Sequence, residues 1–264
     1  MSDKPTSEQF FKLLCIEGGL VLVSSLLVLV LFRSEPPSPP SATEEHHFTI
    51  HFKADLIRLL TNRHYMILAT GFCLGLGLIN AITSVLFQLV EPFGYNSKDA
   101  GIFGTLILLS GLFNAFIAGL IMDRTHAYRR TLKLLLVGAA ASIIFFLFML
   151  RPNQYYALAV SMGLMGFFLL PLLPVCFECA VECTYPIRPE WSTGLFMFVG
   201  STLGGLFTFM LGYLIPFDPL LHSPIILTPA SLFIFAVFTT SAITLFLFNG
   251  PYLRYEADRQ ATCQ

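Results

Sequence analysis

The sequence predicts an all-α membrane protein with seven transmembrane helices. Three observations carry this. Only 12% of the 264 residues are charged and 55% are hydrophobic, against about 25% charged in a soluble domain. Twenty-seven Phe stand against one Trp. Uncharged stretches near the roughly 20 residues a spanning helix needs recur along the chain. A soluble globule of this length would need polar surface that these residues do not supply, so most of the chain has lipid as its solvent. The net charge of −1 gives no electrostatic case for nucleic acid.

In order, the uncharged runs are Gly18–Phe32 (reaching back to Phe10 if Glu17 is tolerated), His64–Val90, Ala100–Met122, Leu134–Leu150, Pro152–Phe177 and Trp191–Phe217. A last run, Pro219–Leu253, opens on a loop, so its helix is expected to begin near Pro229. The start of the chain does not read as a secretory signal, because acids precede the apolar run and no small-residue cleavage site follows it. Four units follow: a first span in 1–33, a linker in 34–62, a six-helix body in 63–250 and a tail in 251–264. The linker holds Pro36, Pro37, Pro39 and Pro40, which favour extended chain over helix. After them Phe52, Leu56, Leu59 and Leu60 recur at helical spacing among Lys53, Asp55 and Arg58. That pattern predicts a short amphipathic helix on the membrane surface.

Basic residues set the expected orientation. With the linker in the cytoplasm, that side holds Arg33, Lys53, Arg58, Arg63, Arg124, Arg129, Arg130, Lys133, Arg188, Arg254 and Arg259. The other side holds Lys4, Lys12, Lys98 and Arg151. The imbalance puts the N-terminus outside and the C-terminus in the cytoplasm. One helix, a long linker and six helices are what a twelve-helix protein cut before its sixth span would leave.

No P-loop, GxSxG or HExxH pattern is present, and no acid pair sits in a polar context, so an enzyme is not expected and no cofactor is implied. His46, His47 and His51 read as polar linker residues rather than a metal site. Cys176, Cys179 and Cys183 fall near one helical face, and the reading adopted for them is small buried hydrophobes rather than metal ligands or disulfide partners.

Polar residues inside the spans are more informative, because in lipid they face protein or a wet cavity. Asn80, Thr83, Ser84 and Gln88 lie in the second span, and Asn80, Ser84 and Gln88 share a face at i, i+4, i+8. Interhelical hydrogen bonding and a lined cavity both remain open for them. Together with Ser201 in the sixth span they are the candidate substrate path. Gly71/Gly75 and Gly200/Gly204 match the small-xxx-small pattern that lets helices approach closely. Pro171 and Pro174 remove backbone donors from the fifth span and predict a kink.

The stretch GLIMDRTHAYRR, Gly119 to Arg130, resembles the loop signature of the major facilitator superfamily. Gly119, Asp123 and Arg124 match it, His126 stands where the family has a glycine, and the basic pair is displaced. The resemblance implies that Gly119 allows close helix packing, that Asp123 caps a neighbouring helix and that Arg124 pairs with an acid on an adjacent helix. The stretch FECAVECTYPIRPEWSTGL is similar to the segment between helices ten and eleven of the FLVCR-related transporters, solute carrier family 49. Glu178, Ala180, Val181, Glu182, Tyr185, Pro186, Glu190, Thr193 and Gly194 carry the match. SEPPSPPSA, NRHYMILA and the closing PYLRYEAD are similar too, the last most like the MFS-domain-containing branch.

The resemblance implies a partial major facilitator fold, helix six plus the six-helix C-terminal half. It implies transport of a small solute by alternating access, with the lipid bilayer and a missing N-terminal transporter half as partners. The alternative is a non-transporting fragment or isoform, a membrane-embedded scaffold. Gly119, Asp123, Arg124, Glu178 and Glu182 form the expected cytoplasmic gate, with Arg124 pairing to Glu182 or to Glu178 one turn earlier. An ordinary structural ion pair is the other reading of those charges. If the fifth span starts near Gln154, Glu178 lies roughly 36 Å along it at about 1.5 Å per residue, beyond a hydrocarbon core about 30 Å thick. Both acids therefore belong at the membrane rim.

Overall fold

A computed structural model describes residues 7–32, 52–215 and 228–262. Arg33, the linker prolines, His46, His47, His51 and Cys263 lie outside the described residues. Among the described residues, seven helical segments are long and apolar enough to span a bilayer: Phe11–Leu31, Arg63–Ser84, Ser97–Thr125, Tyr128–Met149, Tyr155–Thr184, Pro189–Leu214 and Pro229–Phe246. The chain divides into two compact units, Met1–His47 and Phe48–Gln264.

The first unit contains α1, Ser7–Leu31. Its described side chains from Phe11 onward are exposed on every side. From Gly18 onward it carries no charge and is mainly apolar, the pattern of a membrane span.

The second unit opens with α2, Phe52–Thr61. Leu59 is fully buried, whereas Ile57 and Leu60 point outward. Leu59 thus seats one edge of the helix in the bundle, while Leu60, expected on the same apolar face, lies outside it. Next comes α3, Arg63–Ser84, then the short α4, Leu86–Val90, and a 3₁₀ turn at Glu91–Phe93. Then follow α5, Ser97–Thr125, α6, Tyr128–Met149, α7, Tyr155–Leu169, and α8, Leu172–Thr184. The unit closes with α9, Pro189–Leu214, α10, Pro229–Phe246, and α11, Leu253–Thr262.

In lipid no hydrophobic force drives helix against helix, so close approach decides the packing. The two glycine pairs serve two different contacts of α3. Gly71 and Gly75 face α10, where a Cβ would come within 2.6 Å of Leu245 and 3.0 Å of Ser241 Oγ. Gly200 and Gly204 face α3 from α9, against Leu76 and Asn80, and a Cβ on Gly77 would lie 3.1 Å from the Gly204 backbone nitrogen. A third contact packs α5 on α7: a Cβ on Gly166 would run into the carbonyl of Ile107, and one on Gly111 would lie 2.7 Å from the Gly166 carbonyl. Gly119 differs, since nothing lies within 4 Å of where its Cβ would be.

Two spans are broken. The second ends its regular hydrogen bonding at Val85, five residues before the apolar run ends, so Gln88 is off the continuous helix that carries Asn80 and Ser84. The fifth breaks at Leu170–Pro171, between α7 and α8, where Pro171 and Pro174 predict a kink.

Candidate functional site

A cavity of about 230 Å³ opens inside the second unit, walled by α3, α5, α6, the α7–α8 junction and α10. Both broken spans border it, α3 through Asn80 and Thr83 and the junction through Leu170 and Leu172. Most of the wall is apolar.

The polar groups on it differ in what they have left to offer. Thr83 Oγ1 donates to the Ile79 and Asn80 carbonyls, at 2.9 and 3.1 Å. Ser84 Oγ donates to the Asn80 carbonyl at 2.7 Å. Such back-bonding hydroxyls bend helices, and both sit immediately before the break at Val85. Ser241 Oγ donates to the Gly71 carbonyl at 2.6 Å, tying α10 to α3. Asn80 is half-buried, and its side-chain amide makes no hydrogen bond among the described residues. Of the five sequence-predicted path residues, Asn80 and Thr83 therefore line the cavity. Ser84, Gln88 and Ser201 are exposed and lie outside it.

The break in the fifth span depends on a residue the sequence reading did not single out. Pro171 has no N–H for the Phe167 carbonyl, four residues earlier. Asn114 of α5, 7% exposed, donates its amide to that oxygen at 2.7 Å. Ser110, one turn earlier on α5, donates to the Gly163 carbonyl at 2.7 Å. Proline breaks in membrane helices persist where a neighbouring side chain satisfies the freed carbonyl. The signal in the sequence was a lone Asn in the third span, and its meaning depends on the tertiary pairing with α7.

At one end of the unit the chain termini of several helices are bonded together. Asn62 caps α3, its Oδ1 accepting from the His64 and Tyr65 amides at 3.0 and 3.2 Å. The same side chain donates to the Cys183 carbonyl at the end of α8, at 3.0 Å. Tyr65, fully buried, donates its hydroxyl to the Ser192 carbonyl at 2.8 Å. Its ring stacks on Phe196 with centroids 5.0 Å apart.

The tail meets the same end. Tyr252 Oη accepts from the Arg129 amide at 3.0 Å, supplying the α6 N-terminus with a cap that Ala127 cannot. The Arg129 guanidinium lies 4.5 Å above the same ring.

Glu182 and Glu178 part company here. Glu182 is buried at 5% exposure, and its Oε2 accepts from the Tyr255 amide in the first turn of α11, at 3.1 Å. A carboxylate at a helix N-terminus meets both an orphan donor and the favourable end of the dipole. Glu178, Asp123 and Arg124 are exposed. Among the described residues Arg124 forms no ion pair with either glutamate; an ion pair does join Asp55 and Arg58 on α2, at 4.0 Å. His126 ends α5 with φ 49°, the left-handed region that favours glycine, at the position where the loop signature carries glycine. Its ring is held by Tyr128, with Nδ1 3.2 Å from the Tyr128 hydroxyl, and by Tyr255, at 5.2 Å between centroids. Cys176, Cys179 and Cys183 are buried free thiols, and among the described residues no cluster of His, Cys, Asp and Glu is arranged to hold a metal.

The Major Facilitator Superfamily profile matches residues 13–207. Solute carrier family 49 member A3 of Xenopus tropicalis is 35% identical over 192 residues, covering 70% of this chain and 40% of the relative. The choline/ethanolamine transporter FLVCR2 of Homo sapiens is 27% identical over 206 residues, covering 76% of this chain and 39% of the relative. The chain belongs to the Major Facilitator Superfamily. It is an integral, multi-pass membrane protein of a transporter family, not an enzyme. It spans about two fifths of the length of the curated relatives it matches.

Proposed function

We propose that this chain carries a small solute across a membrane by alternating access, together with a facing transporter half. One observation supports this most. In a Major Facilitator chain, the Asn80 amide, without a partner among the described residues, lines a cavity bordered by two broken helices. Secondary transporters repeatedly build their sites at discontinuous helices. The relatives named as choline/ethanolamine transporters support a small-molecule cargo.

In this reading α1 is helix six, residues 34–62 are the interdomain linker, and residues 63–250 are the second half. Asn80 and Thr83 meet the solute, while Ser84, Gln88 and Ser201 continue the path toward the facing half. In this reading Arg33, Lys53, Arg58, Arg63, Arg124, Arg129, Arg130, Lys133, Arg188, Arg254 and Arg259 share one side of the membrane, against Lys4, Lys12, Lys98 and Arg151 on the other. That imbalance supports a cytoplasmic basic end. Gly119, Asp123, Arg124, Glu178 and Glu182 act there as a gate. Its Arg124–Glu182 latch is open in this conformation and closes when the cavity faces outward.

The test is uptake into proteoliposomes by the chain co-expressed with the N-terminal half of a full-length relative. In a background with the native cysteines replaced, Asn80→Cys and Thr83→Cys are expected to support uptake that a polar thiol reagent blocks. Uptake insensitive to the reagent at both positions would remove them from the path. The second reading is a scaffold that does not transport. It predicts no flux even in a native complex whose mass includes a second half.

A further inference from the structure

We infer that the cavity takes a neutral, mainly hydrocarbon molecule bearing a single hydrogen-bonding group, which the Asn80 amide holds. This rests on the reading above that Asn80 faces the solute, and it adds the solute's chemical class. The charge of the wall is the first ground. No Asp, Glu, Lys, Arg or His lines the cavity among the described residues. A cation entering it would lose its hydration with no carboxylate to replace it.

Aromatic faces are the other way to hold a cation. Two rings line the wall, Phe72 and Phe238. Phe72 is already stacked on Phe196 at 5.1 Å and tilted against Phe177 at 5.7 Å. That leaves one ring, which is not the cage that a quaternary ammonium group needs.

Hydrogen-bonding capacity is the third ground. Thr83 and Ser241 donate to backbone carbonyls, so Asn80 supplies the free amide donors and acceptor of the wall. Size is the fourth. The cavity, about 230 Å³, exceeds the roughly 150 Å³ apolar cavity that holds benzene in an engineered protein. Five spans of this chain supply these walls.

Choline and its carbon isostere 3,3-dimethyl-1-butanol separate charge from shape. The measurement is saturation-transfer NMR of each compound on the chain in lipid nanodiscs, with empty nanodiscs as the baseline for partitioning. The neutral alcohol is expected to bind at least tenfold more tightly than choline, and Asn80→Asp is expected to reverse that order by supplying a carboxylate. Equal or tighter binding of choline to the unaltered chain overturns the inference, as does no binding of either compound above the baseline. The comparison on the unaltered chain stands even if Asn80→Asp does not fold. Binding of the alcohol without flux in proteoliposomes would count against the transport reading and leave the solute class intact.

Discussion

The two broken spans on the cavity wall are made by opposite means. Between α7 and α8 the chain lacks donors, because Pro171 and Pro174 have no N–H, and a side chain from α5 fills the gap at the Phe167 carbonyl. Between α3 and α4 every residue has its N–H. There the hydroxyls of Thr83 and Ser84 crowd the carbonyls of Ile79 and Asn80 just before Val85. The first break is written in the backbone and stabilised from a neighbouring helix. The second is written in side chains and is local. A break held by a neighbour transmits any movement of that neighbour, whereas a local one can bend independently. The fifth span should therefore move with α5, whereas the segment beyond Val85 should bend locally while α3 stays packed on α9 and α10.

Four experiments break or sharpen this contrast. The largest effect is expected where α5 and α7 touch. Gly166→Ala drives a Cβ into the backbone carbonyl of Ile107, which cannot yield as a side chain would, and should destabilise by about 2–3 kcal/mol. Gly163→Ala, three residues earlier with nothing within 4 Å, should stay within about 0.5 kcal/mol. Unfolding in mild detergent measures both, and equal losses would mean that the α5–α7 contact is not tight.

Asn114→Leu comes next, with an expected loss of about 1–2 kcal/mol, the range for interhelical hydrogen bonds in lipid. Combined with Pro171→Ala the loss should shrink, because the restored N–H can satisfy Phe167. A double-mutant cycle with no coupling would show that Asn114 does not support the break.

Glu182→Gln keeps an acceptor for the Tyr255 amide but removes the charge from the α11 N-terminus, an effect of about 0.3–1 kcal/mol. It should appear as faster amide exchange confined to 253–262, with the α7–α8 junction unchanged. Exchange that rises across α7 as well would join the rim and the break into one unit.

The smallest effect is expected for Thr83→Val with Ser84→Ala, below about 0.5 kcal/mol in stability. Spin labels on either side of Val85 should nonetheless report a straighter helix. An unchanged distance would acquit the hydroxyls of causing the bend.

The sequence made some of this legible and hid the rest for physical reasons. Seven spans could be read because lipid demands long uncharged runs, and a helix start at Pro229 was identifiable because the last uncharged run is longer than one span needs. The glycine pairs were visible as pairs, but which helix each met was not, and they meet different ones. Pro171 announced its break, whereas Val85 did not, because two hydroxyls before an ordinary valine carry no strong local signal. Asn80, Thr83, Ser84 and Gln88 stand out as polar residues in an apolar span, and the break at Val85 is what sets Gln88 apart from the continuous helix that carries Asn80. Asn114, Tyr252 and the capping role of Glu182 all act across long sequence separations, so no local pattern could reveal them. Glu182 and Glu178 looked equivalent four residues apart, and the docking of α11 distinguishes them.

The claim on which the rest depends is that Asn80 faces a solute-filled cavity between the two breaks. The direct measurement is the rate at which a water-soluble thiol reagent modifies Asn80→Cys in lipid nanodiscs, with native cysteines replaced and Ile102→Cys on the exposed face of α5 as the reference. Cys at position 80 should react with the polar reagent, and more slowly when 3,3-dimethyl-1-butanol is present, while position 102 reacts only with a lipid-soluble reagent. Labelling of position 80 by the lipid-soluble reagent alone, unaffected by the alcohol, would contradict the account.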